Sequence, residues 1–305
     1  MLGNNNSLPF STFSGVSNVS QGAVPDKILD DYTGAVGAYG LRLLRKAYSG
    51  NCIQVCTDPL TPTTNAEIGF DSYSLGVDLV AIKTFADANG GVAYVSIWYD
   101  QSGSGSSTGN LTVNSGARVL ANGFGVYFSG EHHLRGGKLA INFEYDTQFD
   151  LTGISNADNF RVSAIFGFDQ EEDEPNIGTL FGGSGGASWI INDAQTTQTF
   201  GLKGSASPDS YFGPDNGTYV HDTQVALSVG TSGDTLEAIW SLPSGGTDTS
   251  SEISDWGASE TMSIQYVGSQ SHNAEFWQEL IIWNTDQDTN AAGILTNQNN
   301  YFGVY

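Results

Sequence analysis

From Val92 onward the chain is a succession of short apolar segments broken by Gly, Asn, Asp and Ser, and this spacing leaves room for little except an antiparallel β-fold. Strands are predicted over 92–99, 111–113, 119–120, 125–128, 139–143, 161–168, 178–181, 188–192, 199–202, 223–230, 235–241, 261–267 and 275–283. So many short strands joined by turns bury their inner faces most simply as a sandwich of two antiparallel sheets. With 305 residues and 39% hydrophobic composition the chain is long enough to fold as one large all-β unit.

The first ninety residues read differently. Residues 1–25 are rich in Asn, Ser and Gly, with Phe10, Phe13 and Val16 scattered among them, and form an expected extended arm whose apolar residues could anchor on a neighbouring subunit. Residues 26–305 form the expected single domain, split into a helix-containing opening module (26–110) and a sandwich body with a C-terminal helix (111–305). Apolar residues at three- and four-residue spacing between Ile28 and Ala47 predict one broken or two short helices, despite glycines at 34, 37 and 40. A second helix is predicted over 77–88, with Leu79, Ile82, Phe85 and Ala86 on one face and Asn89-Gly90-Gly91 as its stop. Thr285-Asp286 is placed to cap a last helix over 289–300, and the aromatic ending Tyr301-Phe302-Gly303-Val304-Tyr305 is expected to pack.

Cys52 and Cys56 lie four residues apart on a predicted strand, about 13 Å at the rise of a strand. A disulfide needs Cα atoms within about 7 Å, so both are expected as buried free thiols.

Charge excludes some partners. The chain has 33 acids against 10 bases, and all ten Lys and Arg lie at or before Lys203. Such a field repels phosphate backbones and anionic lipid surfaces, so neither nucleic acid nor membrane is expected as a partner. The acid excess fits solubility in a salty medium or, as a sharper alternative, a Ca2+ site made from loop carboxylates. The opening Met1-Leu2-Gly3-Asn4-Asn5-Asn6 shows no secretory signal, and no run is apolar enough to span a bilayer.

Among chemically able residues, Glu131-His132-His133 sets a carboxylate beside two imidazoles, although adjacent strand residues face opposite sides. Glu171-Glu172-Asp173-Glu174 is an acidic run with the pattern of a solvated turn. Arg42 and Arg45, three apart on the predicted helix, are expected to pair with carboxylates such as Glu67 or Asp71. Asp100 is placed to cap the turn that follows it. Trp189, Tyr211, Phe212, Tyr219, Trp240 and Trp256 fall near predicted loops and strand ends, where sugar-stacking platforms would lie in a lectin.

Two linked signatures carry a resemblance. The first is Ala38-Tyr39-Gly40-Leu41-Arg42-Leu43-Leu44-Arg45-Lys46-Ala47-Tyr48-Ser49-Gly50. The second is Trp98-Tyr99-Asp100-Gln101-Ser102-Gly103-Ser104-Gly105. With Ile68-Gly69-Phe70-Asp71 and the close Trp277-Gln278-Glu279-Leu280-Ile281-Ile282-Trp283, they resemble tailed-phage virion proteins with a concanavalin A-like, laminin-G-like sandwich. Ala47-Tyr48-Ser49-Gly50, Gln54-Val55, Tyr99-Asp100-Gln101-Ser102-Gly103 and residues 125–130 are similar to the catalytic domain of the α-L-arabinofuranosidase B family. That family's tandem-cysteine segment, which leads to its nucleophilic glutamate, has no counterpart here. The resemblance implies a mostly β, concanavalin A-like jelly-roll sandwich with a few short helices and no catalytic residues. It further implies a non-enzymatic virion structural protein: a surface decoration, fibre or tail-associated subunit docked by its N-terminal arm to sister subunits or other virion proteins. Assembly in a host cytoplasm agrees with unpaired cysteines. The alternatives are a host-adhesion protein that binds surface glycans through Trp189, Tyr211, Trp240 or Trp256, and a glycoside hydrolase of arabinofuranosidase type. Fold alone does not choose among them.

Overall fold

The computed structural model describes residues 27–58, 63–103, 109–113, 125–128, 130–143, 148–157, 159–168, 177–182, 188–194, 197–203, 210–212, 224–232, 235–241, 245–253, 262–268 and 275–305. They form a mostly β structure in which every ladder is antiparallel and helices are few and short.

The strand Glu275–Trp283 organises one layer. Along one edge it pairs with Arg161–Phe168, followed outward by Gln224–Ser232, Thr235–Ser241 and Thr247–Ile253. Along the other it pairs with Ala35–Gly40 and Ile141–Phe143, one after the other. The second layer runs from Asn65–Ile68 through Ile53–Cys56, Ala93–Trp98, Leu111–Val113, Phe149–Ala157, Met262–Val267 and Ile177–Gly182 to the hairpin strands Ser188–Ala194 and Thr197–Lys203. The strand Gly125–Phe128 pairs with both Ala93–Trp98 and Ile141–Phe143, which joins the layers at one edge.

Alternation explains the burial. Val162, Ala164 and Phe166, Val225, Leu227 and Val229, and Leu280 and Ile282 point into the space between the layers. There they meet Ile53, Val55, Val95, Trp98 and Phe149 of the other sheet. Phe166 stacks on Trp277 at 5.3 Å between centroids, and Phe143 bridges Trp277 to Phe149. The strand register shifts between Ile165 and Phe166, which lets Trp277 join the inner face although Glu279, Ile281 and Trp283 face outward. The outward residues are buried too, because the C-terminal helix Ala291–Phe302 lies over them with Ile294, Leu295 and Phe302 on its inner side. Asp286 accepts the Asp288 N–H at 2.8 Å at the start of that helical segment, and Gly303 (φ +68°) ends it. The terminal aromatics pack as expected, with Tyr301, Val304 and Tyr305 against this cluster.

The 77–88 helix is observed as Leu79–Ala88, with Asp78 accepting the Ala81 N–H at 3.0 Å as its cap. Gly91 and Asn89 both donate to the Ala86 carbonyl at its end. The Ile28–Ala47 region is a correction. Only Ile28–Asp31 is helical; Gly34 at φ +84° breaks the helix, and Ala35–Gly40 is a strand on the edge of Glu275–Trp283. An open ladder edge outcompetes weak helical spacing interrupted by three glycines. Arg42 therefore stands in an isolated antiparallel bridge with Gly76, and Arg45 in irregular chain, rather than on a helix. Strands also form at Asn65–Ile68, Phe149–Ala157, Ser210–Phe212 and Thr247–Ile253, where none was predicted. Residues 119–120 and the arm with Phe10, Phe13 and Val16 lie outside the described residues.

Cys52 and Cys56 are free and buried, and burial raises both thiols, Cys56 to about 11. Neither should react with a thiol reagent at neutral pH until the chain unfolds; rapid labelling of the native protein would contradict this burial. Phe166 is fully buried. Phe166→Ala is expected to cost about 3–5 kcal/mol in urea unfolding, and a loss below about 1 kcal/mol would contradict the stacked inner face.

Candidate functional site: an exposed tyrosine–carboxylate face above a buried clamp

The two signatures meet in space, and most of their polar atoms turn inward. Asp100 Oδ1 accepts the Ala38 N–H at 2.8 Å and the Ser102 N–H at 2.9 Å, while Oδ2 accepts the Ser102 hydroxyl at 2.7 Å. One carboxylate thus shapes its own turn and pins it to the Ala35–Gly40 strand. Gln101 is fully buried; its Oε1 accepts the Leu44 N–H at 2.9 Å, and its Nε2 donates to the carbonyls of Gly40 and Arg42 at 2.8 and 3.2 Å. These bonds satisfy backbone groups that irregular residues 41–44 would otherwise leave orphaned. Arg45 donates to the Ser102 carbonyl at 2.8 Å, and Gly103 sits at φ +68° where a Cβ would strike the Arg45 guanidinium.

Arg42 pairs with neither Glu67 nor Asp71, which corrects the sequence expectation. Its Nε and a terminal nitrogen reach Glu279 at 2.6 and 3.0 Å, with both side chains buried. Glu279 also accepts from Gln298 Nε2 at 3.1 Å, and Gln298 Oε1 accepts the Ser163 hydroxyl at 2.7 Å. Asp71 instead accepts the N–H groups of Tyr73 and Ser74 in its own turn, which holds its carboxyl below the usual range.

What the clamp leaves outside is a shallow exposed face on Ile53–Cys56, Asn65–Ile68 and the end of Ala93–Trp98. Ile53 and Val55 point inward, so Gln54 points out beside its cross-strand partner Glu67. The Glu67 carboxylate accepts from Gln54 Nε2 at 2.7 Å, the Tyr99 hydroxyl at 2.9 Å and Asn51 Nδ2 at 3.0 Å. The Tyr48 hydroxyl donates to the Asn51 carbonyl at 2.8 Å, and the Tyr48 ring packs edge-on against Phe70. Desolvation raises both phenols, Tyr48 to about 12. For Tyr99 the hydrogen bond to Glu67 adds to desolvation. Both therefore stay neutral donors, and a phenolate nucleophile is disfavoured. The result is an anchored carboxylate with an open lone pair beside two tyrosines, a composition suited to hydroxyl-rich ligands.

The other expected sites fall differently. Trp240 is 1% exposed in the core, so it cannot be a surface platform. The backbones of Trp189 and Tyr211 lie in strands, and Tyr219, Trp256 and the run 171–174 lie outside the described residues. His132 packs edge-on against Tyr127 at 4.9 Å, and Glu131 is exposed in the same short strand. Among the described residues no group of three His, Cys, Asp or Glu is placed to hold a metal ion. The Glu67 face is not legible as a unit in the sequence, although Tyr48 and Tyr99 belong to the signatures; Gln54 and Glu67 join them only through cross-strand pairing.

Burial, and then Lys83, lowers the His132 pKa from 6.5. A histidine depressed in the folded state takes up its proton more readily when unfolded, so it opposes folding below about pH 6.5 and is silent well above it. His132→Gln should accordingly lose less stability than the parent between about pH 7.5 and about pH 5.5 in paired urea titrations. Equal losses would contradict the assignment.

No protein-family model matches the chain, and no curated protein matches it in sequence. Solved structures do. A mutant GH54 α-L-arabinofuranosidase soaked with 4-nitrophenyl α-L-arabinofuranoside superposes with a TM-score of 0.62 at 15% identity, over 90% of this chain and 64% of that one. Looser superpositions include Trypanosoma rangeli sialidase in complex with sialic acid, with a TM-score of 0.41 and 13% identity over 69% of this chain and 32% of that one. Another is the CBM2 module of the evolved Dit of Lactobacillus casei BL23 phage J-1, with a TM-score of 0.29 and 16% identity over 42% and 62%. The chain spans 64% of the arabinofuranosidase's length, and at this identity the two share a β-sandwich fold.

Proposed function

We propose that the chain is a non-enzymatic subunit of a tailed-phage particle that engages surface glycans through the Glu67 face. The carrying observation is the Glu67 carboxylate, anchored by three neutral donors and set beside Tyr48 and Tyr99 on the exposed side of the sheet. Such a carboxylate accepts from sugar hydroxyls, and tyrosines offer their apolar C–H faces a platform. The non-enzymatic part is supported by where the signature carboxylates go: Asp100 is occupied by a turn and a strand N–H, and Glu279 by a buried arginine. The phage part rests on the resemblance carried by the paired signatures. Ca2+ is not needed for this mode of binding.

On a glycan array the intact protein should bind a restricted set of glycans. Tyr99→Ala and Glu67→Gln should each weaken binding roughly tenfold or more, the size of a lost charge-assisted hydrogen bond or stacking contact. Unchanged binding in both variants would overturn the site. Mass spectrometry of purified particles should find the chain, and its absence there would overturn the virion assignment.

The arabinofuranosidase superposition over 90% of the chain favours a second reading, a glycoside hydrolase. Retaining enzymes of that class need two carboxyls about 5–5.5 Å apart. Release of nitrophenol from an arabinofuranoside would establish this reading, and no release from a panel of nitrophenyl glycosides would remove it.

A further inference from the structure

The Lys138–Leu139 strand, the loop before Leu79 and the last turn of the C-terminal helix line an open cavity of about 140 Å3, built from residues other than the Glu67 face. Leu41, Val77, Leu79 and Leu139 supply apolar walls, with Phe302 beside them. Ser74, Tyr301 and Lys138 are the lining residues with polar side chains.

These walls are fixed by the fold. Gln278, at the bulge of the central strand, donates Nε2 to the carbonyls of Lys138 and Leu139 at 3.3 and 3.1 Å. Leu75 is held at φ +57°, a left-handed conformation unusual for leucine, between Ser74 and Gly76. Its N–H donates to the Asp71 carbonyl and its carbonyl accepts the Leu43 N–H at 2.7 Å, so both neighbours are pinned at the cavity. Gly76 leaves room that a Cβ would take, since one there would lie 2.8 Å from the Tyr301 hydroxyl.

Charge identifies the occupant's polar end. Two cations approach the Tyr301 ring, Lys138 Nζ at 4.4 Å from its centroid and the Arg42 guanidinium at 4.9 Å. Arg42 is neutralised by Glu279, whereas Lys138 has no carboxylate partner among the described residues. In a chain with 33 acids against 10 bases, the half-buried Lys138 thus brings to the cavity an ammonium that no described carboxylate neutralises. Volume identifies the other end, because a cavity of about 150 Å3 accommodates one benzene ring.

We propose that this cavity binds an organic carboxylate consisting of one apolar six-membered ring and a single acid group, the ring against the leucine and valine walls and the acid on Lys138. Free aromatic acids and the C-terminal phenylalanine of a peptide share this chemistry.

Calorimetric titration of the full chain with phenylacetate and with the peptide Gly-Gly-Phe, each beside its amide, tests this. At least one acid should bind saturably and its amide roughly tenfold more weakly, the loss expected when a charged hydrogen bond is removed. Saturation by phenylacetate marks a free acid as sufficient, and saturation by the peptide alone marks a chain terminus as the source. Lys138→Gln should lose roughly tenfold in affinity, and Gly76→Ala should weaken binding with an unchanged circular dichroism spectrum. Tyr99→Ala should leave this binding intact, which separates it from the glycan face. The proposal fails if neither acid saturates by about 10 mM, if acid and amide bind alike, or if Lys138→Gln binds as the parent does.

Discussion

The rest of the structure hangs on a charge pair placed where charges are costly, between the outer face of a sheet and the helix that covers it. Arg42 and Glu279 meet with both side chains buried, and a carboxylate taken this far from water is tolerable only if its lone pairs are filled. Two guanidinium nitrogens and the Gln298 amide fill them. The pair is therefore a register device as much as an attraction. Arg42 comes from the opening segment, Glu279 from the central strand, Gln298 from the C-terminal helix and, through Gln298, Ser163 from the next strand. Any one of these elements displaced by a residue would strand a buried charge.

The Asp100–Gln101 clamp works to the same end from the other layer. Gln101 adds to the Arg42–Gly76 bridge and the other backbone bonds of residues 41–44, so this segment can cross from one sheet toward the other without losing hydrogen bonds. Because those signature groups are consumed inside, the groups left facing solvent are Glu67, Gln54, Asn51 and the tyrosines. The sandwich is shared with a solved α-L-arabinofuranosidase, so fold does not decide function.

Much of this was legible in the sequence. Short apolar segments broken by Gly, Asn, Asp and Ser announced most strands from residue 92 onward, including Arg161–Phe168, Thr235–Ser241 and Glu275–Trp283 to the residue, because turn residues mark where a strand must end. Asn89 and the glycines after it marked the end of the Leu79–Ala88 helix because helix stops are local chemistry, whereas Asp78, placed inside the predicted helix, is its cap. What was illegible depends on contacts between distant residues. Ala35–Gly40 looks helical until the edge of Glu275–Trp283 is present to pair with it. Arg42 could be assigned a nearby acid, but its partner lies 237 residues away. Trp240 sits near a predicted strand end and only the facing sheet makes it core. Glu67 stands on a strand that its own sequence, Asn65-Ala66-Glu67-Ile68, hardly suggests, so the face it completes could not be read before the Ile53–Cys56 pairing was known.

That the paired signatures form an architectural clamp is tested most directly by native-state hydrogen exchange at the Ala38 and Leu44 amides, which donate to Asp100 and Gln101. If the clamp is part of the cooperative core, both should exchange only through global unfolding, with the same opening free energy and denaturant dependence as the Val162 amide in the sheet interior. Exchange of Ala38 and Leu44 through a local opening, well below the global value and insensitive to denaturant, would contradict it.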